Sequence, residues 1–308
     1  MKHTIRIAVH GLGNIGSRTI QAIETAPDME CIGVIRGASS LGTRAPDLRG
    51  CADFKSLEDL TARNGKPDVA ILAAPSRNIP ALAEMYLAAG IHTVDSFDIH
   101  GEIPALVESL DKKAIAANRT AIIAAGWDPG TDSVLRALFE AMTPVGTTFT
   151  NFGRGRSMGH SAAARAIAGI ENATSITIPL GGGKHSRLVY VLPKANADKK
   201  KIADALADDE YFSHDPLDVR FVETIAEFNA VMDNSHGVLL ERTGASGTTS
   251  NQQLRFDMRI DNPALTAQIL VSCARAAVRM APGCKTMIDI PPVCLLPGER
   301  AKHIARLV

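Results

Sequence analysis

The sequence predicts an α/β protein with a doubly wound parallel sheet, followed by an α+β domain with a mostly antiparallel sheet. Short apolar strand patterns alternate with helical patterns over residues 1–125, as in chains whose parallel strands are joined by crossover helices. A glycine-rich turn separates the first strand from the first helix. After about residue 144, longer strand patterns rich in Thr, Ile and Phe replace this alternation, which indicates a second domain.

The first strand pattern, Thr4–His10, runs into the sequence Gly11-Leu12-Gly13-Asn14-Ile15-Gly16, and a helical pattern follows. This G-x-G-x-x-G motif therefore has the strand–turn–helix context that dinucleotide binding requires. Gly11 would form the turn, Gly13 would let a pyrophosphate approach the backbone, and Gly16 would let the helix pack close to the strand. Free N–H groups and the helix dipole would favour phosphate at the helix start. We expect a Rossmann-type domain, with a glycine-rich structural turn as the alternative.

The second strand pattern, Cys31–Ile35, ends at Arg36, which lies twenty residues after Gly16. A site specific for NAD usually has an Asp or Glu here to bind the ribose 2′-hydroxyl. A guanidinium, followed by Gly37, Ala38 and two serine hydroxyls, suits a 2′-phosphate instead. We expect NADP rather than NAD as the cofactor; the alternative is that Arg36 is only a surface charge at a strand end.

The next elements continue the parallel sheet. Residues 68–74 form a strand pattern that is fully apolar after Asp68, typical of a buried parallel strand, and end at Pro75-Ser76-Arg77, a second expected contact with the cofactor. The remaining elements are a helix at 79–89, a strand at 92–95 with its exit at Ser96-Phe97-Asp98, a helix at about 103–117 and a strand at 121–125.

The segment Gly126-Trp127-Asp128-Pro129-Gly130 joins that last strand to a helical pattern at 133–142, and it contains the only tryptophan. Ligands of open α/β sheets bind beyond the carboxyl ends of the strands. Gly and Pro favour a tight turn that a ligand can approach. We interpret the segment as the connection between a cofactor domain and a substrate domain. The alternative is a turn in which Trp127 fills the core and Asp128 caps the helix.

The second part of the chain is expected to contain strands at 145–153, 175–180, 187–192, 218–224, 238–241 and 253–260, with helices at about 161–168 and 200–207. Asp261-Asn262-Pro263 has a Pro at the first turn of a long amphipathic helix, and a last helix is expected at about 298–307. We expect residues 126–262 to form the substrate domain. The helices at about 263–308 should pack back on a dinucleotide-binding domain of residues 1–125.

Two acidic residues, Asp98 and Asp128, follow the ends of successive strands of the predicted parallel sheet. Neighbouring strand ends of such a sheet open onto one crevice. Beside a nicotinamide, two carboxylates would attract an ammonium group and could accept its proton. The alternative is that both residues are helix N-caps.

The substrate domain contains groups suited to binding carboxylates. In Ser157-Met158-Gly159-His160-Ser161, Gly159 and Ser161 would leave backbone N–H groups open just before a helix. Arg187 lies on a strand pattern, with Thr177 on an earlier one, and Arg suits a bidentate grip on a carboxylate.

Three further residues of this domain are less distinctive. Phe152 precedes the serine-rich segment. His236 lies in an apparent polar loop between strands, where a lone histidine is more often a surface residue than part of a site. Asn262 precedes a helix, and its side chain more often serves as the cap of that helix.

Composition excludes several classes of protein. Lys+Arg equals Asp+Glu at 33 each, so no basic surplus favours a nucleic acid or an acidic membrane as a partner. The five cysteines lie far apart, which suits a reducing compartment, and the sequence shows no metal-ligand cluster. Without a signal-peptide pattern or a long apolar run, we expect a cytoplasmic protein with a small-molecule substrate.

Nearly the whole chain resembles the meso-diaminopimelate dehydrogenases. The resemblance rests on Gly126-Trp127-Asp128-Pro129-Gly130, Ser157-x-Gly159-His160-Ser161 and Asp261-Asn262-Pro263, in that order. It implies oxidative deamination of the D-configured centre of meso-2,6-diaminopimelate with NADP⁺, which yields L-2-amino-6-oxopimelate and ammonia. The reverse reaction serves lysine and cell-wall precursor synthesis. The resemblance also implies a homodimer in which residues 126–262 form the substrate-binding and dimerisation domain.

The resemblance further implies a role for each residue named above. Asp98 and Asp128 would face the reacting amine as the catalytic residues. The substrate would contact Trp127, Phe152, Met158, Gly159, Thr177, Arg187, His236 and Asn262. The cofactor would contact Gly11, Leu12, Gly13, Asn14, Ile15, Gly16, Arg36, Gly37, Ala38, Ser76, Pro129 and Gly130.

The chain departs from some members of this family at a few positions. Gly37 stands where some have a second Arg, Ala162 where some have an Asp, and Gly181-Gly182-Gly183 where some have a longer insertion. Some relatives with compact loops also reduce simple 2-oxo acids to D-amino acids, so other D-amino acids are candidate substrates. Another NADP-dependent reductase or diamino acid dehydrogenase of similar fold is the alternative, and a catalytically silent NADP-binding sensor is a third. A sensor would not need paired acids at adjacent strand ends.

Overall fold

The computed structural model describes residues 4–37, 48–232 and 235–308. By its contacts the chain divides into two compact units, Met1–Val134 with Pro263–Val308, and Leu135–Asn262. The division falls inside a helix at 134/135, later than the boundary at 125/126 that the sequence suggests. Gly126–Gly130 is part of the first unit, and its carbonyl groups accept hydrogen bonds from the start of the helix that follows it.

Strands and helices are numbered in chain order. The strands are β1 (Ile5–His10), β2 (Met29–Ile35), β3 (Asp53–Phe54), β4 (Val69–Leu72), β5 (His92–Asp95), β6 (Thr120–Ile122), β7 (Val145–Phe152), β8 (Gly155–Ser157), β9 (Ile170–Gly181), β10 (Lys184–Pro193), β11 (Leu217–Phe221), β12 (Ser235–Ser246), β13 (Thr249–Asp261) and β14 (Gly283–Lys285). The α-helices are α1 (Asn14–Glu24), α2 (Leu57–Asn64), α3 (Ile79–Ala88), α4 (Ile103–Ala116), α5 (Thr131–Met142), α6 (Met158–Ala166), α7 (Lys199–Asp208), α8 (Ile225–Ala230), α9 (Asn262–Ala277), α10 (Pro292–Leu295) and α11 (Arg300–Leu307).

The first unit is built on a parallel sheet. Within the described residues its seven strands are ordered β14-β6-β5-β4-β1-β2-β3, and every neighbouring pair runs parallel. Side chains alternate between the two faces of each strand. Ala70 and Leu72 of β4 therefore join a core with α2, α3 and α4, while Val69 and Ile71 join a core with α1 and α9. Helices on both faces confirm the expected doubly wound sheet.

The second unit contains two smaller sheets in the part of the chain that the structure describes. One has the order β11-β10-β9-β8, in which only β10 and β11 run parallel, and the other has the antiparallel order β13-β12-β7. Helices α6 and α7 cover one face of the first sheet with Ala164, Ile202 and Leu206. The expected mostly antiparallel second domain is confirmed.

Several short elements were not predicted from the sequence. These are β3, α2, β8, α8, β14 and α10. Strands β3, β8 and β14 have two or three residues each, too short for an alternating pattern, and they form because a neighbouring strand supplies their hydrogen bonds. β14 matters most, because it pairs with β6 and extends the sheet beside the strand that leads to Asp128.

Candidate active site

The turn after β1 has the geometry that a dinucleotide pyrophosphate needs. Gly11 has a φ of +100°, and a Cβ there would collide with the Ala73 carbonyl oxygen. A Cβ on Gly16 would collide with the Gly11 carbonyl oxygen, whereas no described atom lies within 4 Å of a Cβ on Gly13. Gly13, the N-cap residue of α1, has no side chain that could occupy the first N–H groups of the helix. The chain therefore fits a dinucleotide here.

The other three residues of this turn have different environments. Leu12 and Ile15 are partly buried and pack against the apolar core beside α1. Asn14, the first residue of the helix, is exposed. Leu12 and Ile15 therefore anchor the turn on the sheet, while its polar side remains open to a ligand.

Arg36 follows β2 directly and is 9% exposed. Its Nη1 donates to Asp53 Oδ2 on β3 at 2.9 Å, an ion pair that no pattern in the sequence predicts. Its backbone N–H donates to the Phe54 carbonyl oxygen at 3.0 Å. Gly37 is exposed, and no described atom lies within 4 Å of a Cβ built there. Ala38 lies outside the described residues.

Asp98 lies just beyond β5 and contacts Ser76, which lies just beyond β4. Ser76 Oγ donates to Asp98 Oδ1 at 2.6 Å, and it accepts the Asp98 backbone N–H at 3.3 Å. Both residues are partly buried. Ser76, a residue expected at the cofactor, therefore also fixes the carboxylate expected to do chemistry.

Asp128 follows β6, which pairs with β5 in the sheet. Because both strands run in the same direction, Asp98 and Asp128 lie beyond the same edge of the sheet. The glycine-rich turn after β1 leaves the sheet at this carboxyl edge as well. Asp128 is partly buried, as Asp98 is. The first unit thus places both acids and the dinucleotide turn at one edge.

The turn that carries Asp128 is compact. The Gly126 carbonyl accepts from the Thr131 N–H at 3.0 Å, and a Cβ on Gly130, whose φ is +143°, would collide with Gly126. Trp127 is 6% exposed, so its ring is largely buried as the structural alternative requires, whereas Pro129 is partly buried. This closed turn passes directly into α5 and leaves the position of Asp128 little freedom.

Asp95, the last residue of β5, was not singled out from the sequence, although it stands three residues before Asp98 at a strand end. It is fully buried. Its Oδ1 accepts the N–H groups of Phe97 at 2.9 Å and Ala124 at 3.3 Å. Burial raises the pKa of Asp95 to about 7, and these two hydrogen bonds act in the opposite direction. Asp95 therefore connects the exits of β5 and β6.

In the second unit, Arg187 is 9% exposed and contacts three side chains. Its Nε donates to Asp215 Oδ2 at 2.8 Å and its Nη1 donates to Thr177 Oγ1 at 2.7 Å, while its Nη2 lies 2.8 Å from His185 Nε2. Thr177 and Arg187 are register partners between β9 and β10. The structure thus brings together the two residues that the sequence paired.

Asp215 and His185 were missed in the sequence. His185 shares a strand face with Arg187, since residues two apart point to the same side, and this spacing could have identified it. Asp215 lies in the connection between α7 and β11, where no local pattern distinguishes it from other surface acids.

Phe152, the last residue of β7, makes edge contacts with two histidines. Its ring centroid lies 5.5 Å from that of His185 and 6.2 Å from that of His236. His236 is 6% exposed and is the second residue of β12, so the expectation of a polar surface loop is wrong at this position. The strand starts earlier than its apolar pattern suggests because His236 pairs with Ile260 of β13.

Met158 and Gly159 are the first two residues of α6, whereas the sequence placed Gly159 before the helix. The cap residue, Ser157, makes no capping hydrogen bond, because its Oγ lies 2.8 Å from His160 Nδ1. The N–H groups of a first helical turn lack acceptors within the helix, which suits a carboxylate ligand. Ser161 instead donates to the Ser157 carbonyl at 2.6 Å and has a structural role.

Asn262 is the first residue of α9 and is 5% exposed. Its side-chain amide donates to the Arg156 carbonyl oxygen on β8 at 2.7 Å. β8 in turn pairs with β9, where Gly155 is the register partner of Thr177. A Cβ on Gly155 would collide with Ser235, next to His236. Close backbone packing therefore gathers the expected substrate residues of this unit around β8.

Two negative findings concern the part of the chain that the structure describes. Across residues 4–37, 48–232 and 235–308, no three His, Cys, Asp or Glu side chains are grouped so that they could hold a metal ion. No helix in these ranges is long and apolar enough to cross a membrane.

Comparison with family models identifies both parts of the chain. Residues 5–94 match the oxidoreductase family with an NAD-binding Rossmann fold, and residues 126–183 match the diaminopimelic acid dehydrogenase C-terminal domain. The first match and the open glycine turn together support a nicotinamide cofactor.

Curated relatives and solved structures agree with these matches. The meso-diaminopimelate D-dehydrogenase of Bacteroides fragilis is 45% identical over 99% of both chains, and that of Lysinibacillus sphaericus is 33% identical over 97% of both. An engineered D-amino acid dehydrogenase bound to NADP⁺ superposes with a TM-score of 0.89 at 28% identity, covering 99% of this chain and 100% of that one. The DAP dehydrogenase of C. glutamicum in complex with DAP has a TM-score of 0.87 at 29% identity, covering 100% of both.

A dihydrodipicolinate reductase from Paenisporosarcina sp. TG-14 is 13% identical with a TM-score of 0.50, covering 92% of this chain and 97% of that one, and it shares the fold alone. The family assignment therefore rests on the two curated relatives that match over nearly the full length of both chains. With its glycine turn, its two acids at one sheet edge and its Arg187 cluster, the chain belongs to the meso-diaminopimelate D-dehydrogenase family.

Proposed function

We propose that this protein catalyses the reversible, NADP-dependent oxidative deamination of the D-centre of meso-2,6-diaminopimelate, giving L-2-amino-6-oxopimelate and ammonia. The observation that carries the proposal is the placement of Asp98 and Asp128 beyond neighbouring parallel strands, at the edge where the glycine turn leaves β1. Two carboxylates at this edge suit an ammonium group next to a nicotinamide. Family membership supports the same reaction.

The acids of the first unit would manage the protons of the reacting amine. An ammonium group has no lone pair, so a carboxylate of Asp98 or Asp128 must first accept one of its protons. A nicotinamide held at the glycine turn would accept the hydride, and that chemistry belongs to the cofactor. After hydride loss, the same carboxylates can direct a water molecule to the resulting imine carbon. The hydrogen bond from Ser76 holds Asp98 in one orientation for both steps.

Residues of the second unit would bind the end of the substrate that does not react. Arg187 and Thr177 provide a guanidinium and a hydroxyl for the remote carboxylate, and His236 and Asn262 add polar groups nearby. The N–H groups at Met158 and Gly159 suit the other carboxylate. Fixing the remote end determines which stereocentre reacts. Shorter D-amino acids could react without this grip, although more weakly.

The cofactor is proposed to be NADP rather than NAD. Arg36 stands where an NAD site usually has an acid, and a guanidinium suits a 2′-phosphate. Its ion pair with Asp53 holds the guanidinium at the end of β2. The similar engineered D-amino acid dehydrogenase, whose structure contains NADP⁺, supports NADP as well.

The protein is further proposed to act as a cytoplasmic homodimer. Val145 and Phe149 lie on one face of β7 and are 72% and 46% exposed, which is much apolar surface for a single strand. A second copy of the chain would bury this surface. Light scattering should give twice the chain mass, and a monomer at micromolar concentration would contradict the dimer.

The reaction is tested by absorbance at 340 nm with meso-diaminopimelate and NADP⁺ in alkaline buffer. A rise that depends on both compounds is expected, together with stoichiometric ammonia. Tight NADP⁺ binding without any rise would favour the catalytically silent sensor. Oxidation of NADPH with dihydrodipicolinate, and none with 2-amino-6-oxopimelate and ammonia, would favour a reductase of similar fold.

A further inference from the structure

Arg187 is held by side chains from three separate parts of the second unit. Asp215 contacts its Nε at 2.8 Å, Thr177 contacts Nη1 at 2.7 Å, and His185 contacts Nη2 at 2.8 Å. The Arg187 side chain is 11% exposed and that of Asp215 is 22% exposed, so this ion pair is only weakly screened by water. Each guanidinium nitrogen is therefore engaged by a different group.

The backbone fixes Asp215 beside Arg187. The Arg187 N–H donates to the Pro216 carbonyl at 2.8 Å, and the parallel pairing of β10 with β11 starts at Arg187 and Leu217. Asp215 therefore lies just before β11, next to Pro216 and close to Leu217, the register partner of Arg187. Sheet pairing, rather than a flexible surface contact, brings the two charges together.

His185 cannot replace Asp215 in this arrangement. Its Nε2 lies 2.8 Å from Arg187 Nη2, which can only donate, and 3.1 Å from Asp215 Oδ2, which accepts when ionised. One ring nitrogen cannot accept from the first and donate to the second at the same time. In either tautomer of His185, Asp215 remains the acidic partner at Nε, so Asp215 supplies the negative charge that holds the guanidinium.

We propose that Asp215 is a specificity-determining positioning residue, which aims the Arg187 guanidinium at the remote carboxylate of an amino acid with two carboxylates. This inference rests on the proposed function. A guanidinium binds a carboxylate well only when its N–H groups are aligned with the two oxygens. Without Asp215 the long side chain of Arg187 gains other rotamers, and the remote carboxylate loses an aligned partner. The chemistry at the other stereocentre does not use this contact and should be unaffected.

The test compares two ligands that differ only in the remote carboxylate. D-Lysine corresponds to meso-diaminopimelate without the carboxylate of its L-centre. For Asp215→Asn in the full-length protein, we expect the KM for meso-diaminopimelate to rise at least about tenfold, as loss of about 1.4 kcal/mol of binding implies. Its kcat should stay within about threefold. The binding constant of D-lysine, measured as a substrate or as a competitive inhibitor, should change less than about twofold.

Three variants complete the design. Asp218→Asn is the matched control, because Asp218 forms an exposed ion pair with Arg220 on the same strand, β11, and it should behave as wild type. Asp215→Glu keeps the charge and should recover part of the affinity, and it serves where Asp215→Asn folds poorly. In an Arg187→Leu background, Asp215→Asn should change the KM no further, since the group that it positions is absent.

Equal weakening of both ligands, or an unchanged KM for meso-diaminopimelate, would overturn the role of Asp215. A wild-type protein that does not turn over meso-diaminopimelate would overturn the proposed function instead. Calorimetric binding of meso-diaminopimelate and D-lysine to wild type and Asp215→Asn would then decide the role of Asp215 separately.

Discussion

A single hydroxyl joins Ser76 to Asp98 twice, since Ser76 Oγ donates to the carboxylate at 2.6 Å and accepts the backbone N–H of the same residue at 3.3 Å. A hydrogen bond to a charged group contributes about 1.5–3 kcal/mol. We expect Ser76→Ala to lower kcat by about tenfold, because the Asp98 carboxylate loses its fixed orientation. Ser76→Thr, which keeps the hydroxyl, should retain most activity. Steady-state rates at saturating cofactor check this, and an unchanged kcat in Ser76→Ala would contradict it.

Asp98→Asn and Asp128→Asn should each lower kcat/KM by about 100-fold or more, because an amide cannot accept the ammonium proton. Cofactor binding, followed by the fluorescence of bound NADPH, should stay within about threefold of wild type. Asp204→Asn, at an exposed position of α7, is the matched control and should be fully active. If both site variants keep normal rates, the two acids take no part in the chemistry.

Ala substitution at two glycines of the first turn should affect two different properties, cofactor affinity at Gly13 and stability at Gly16. Gly13→Ala should leave the unfolding temperature unchanged, since a Cβ there meets no described atom within 4 Å, but it should weaken cofactor binding by at least about tenfold by blocking the pyrophosphate. Gly16→Ala should lower the unfolding temperature, because its Cβ collides with the Gly11 carbonyl oxygen. Calorimetry and cofactor titration distinguish the two variants. Normal cofactor affinity in Gly13→Ala would refute a pyrophosphate site at this turn.

Asp95 should make the stability of the protein depend on pH. The pKa of Asp95 is raised from 3.8 to about 7 in the folded state, so the folded state holds this proton more tightly than the unfolded chain. The stabilisation of the folded state by this proton is complete below pH 3.8 and is lost as the pH rises to about 7. Relative to Asp95→Asn, which has no such proton, wild type should lose about 2 kcal/mol of unfolding free energy between pH 5.5 and pH 8.5, at about 1.4 kcal/mol per pH unit over the titrating range. Urea unfolding of both proteins at both pH values measures this, and a constant difference would show that the carboxyl is ionised throughout.

Arg36→Ala should reduce the preference for NADP⁺ over NAD⁺. We expect the KM for NADP⁺ to rise about tenfold, as loss of one charge-assisted contact implies, while the KM for NAD⁺ changes little. Arg18→Ala, on the exposed side of α1, is the matched control and should not alter the ratio. Equal effects on the two cofactors would mean that Arg36 only supports the fold through Asp53.

The sequence predicted the parallel sheet well because its evidence is local. The apolar run at 69–74 is typical of a buried parallel strand, and the glycine motif at 11–16 has few interpretations once a strand and a helix flank it. Asp98 and Asp128 could be placed at one sheet edge because parallel strands end on the same side. The same reasoning could not reach Asp95, whose importance comes from contacts with Phe97 and Ala124 that only the folded chain creates.

The second unit was harder to predict because its contacts are between distant segments. Asp215 lies 28 residues from Arg187 along the chain, and only the pairing of β10 with β11 makes them neighbours. The prediction of a loop at His236 is wrong because the residues before it are polar, as in a loop. His236 nevertheless belongs to a strand, since it pairs with Ile260 of β13. Periodicity shows which residues share an element, and it does not show which elements meet.

The order of synthesis bears on the first unit, because its sheet is completed by β14 and one of its faces is covered by α9. Both elements emerge from the ribosome after all of the second unit. Until then, residues such as Ile7, Val9 and Ile71 have only α1 to cover them, although they are fully buried in the finished protein. A chain that stops before α9 would therefore expose part of an apolar sheet face and tend to aggregate without chaperones, even if its glycine turn were correctly formed.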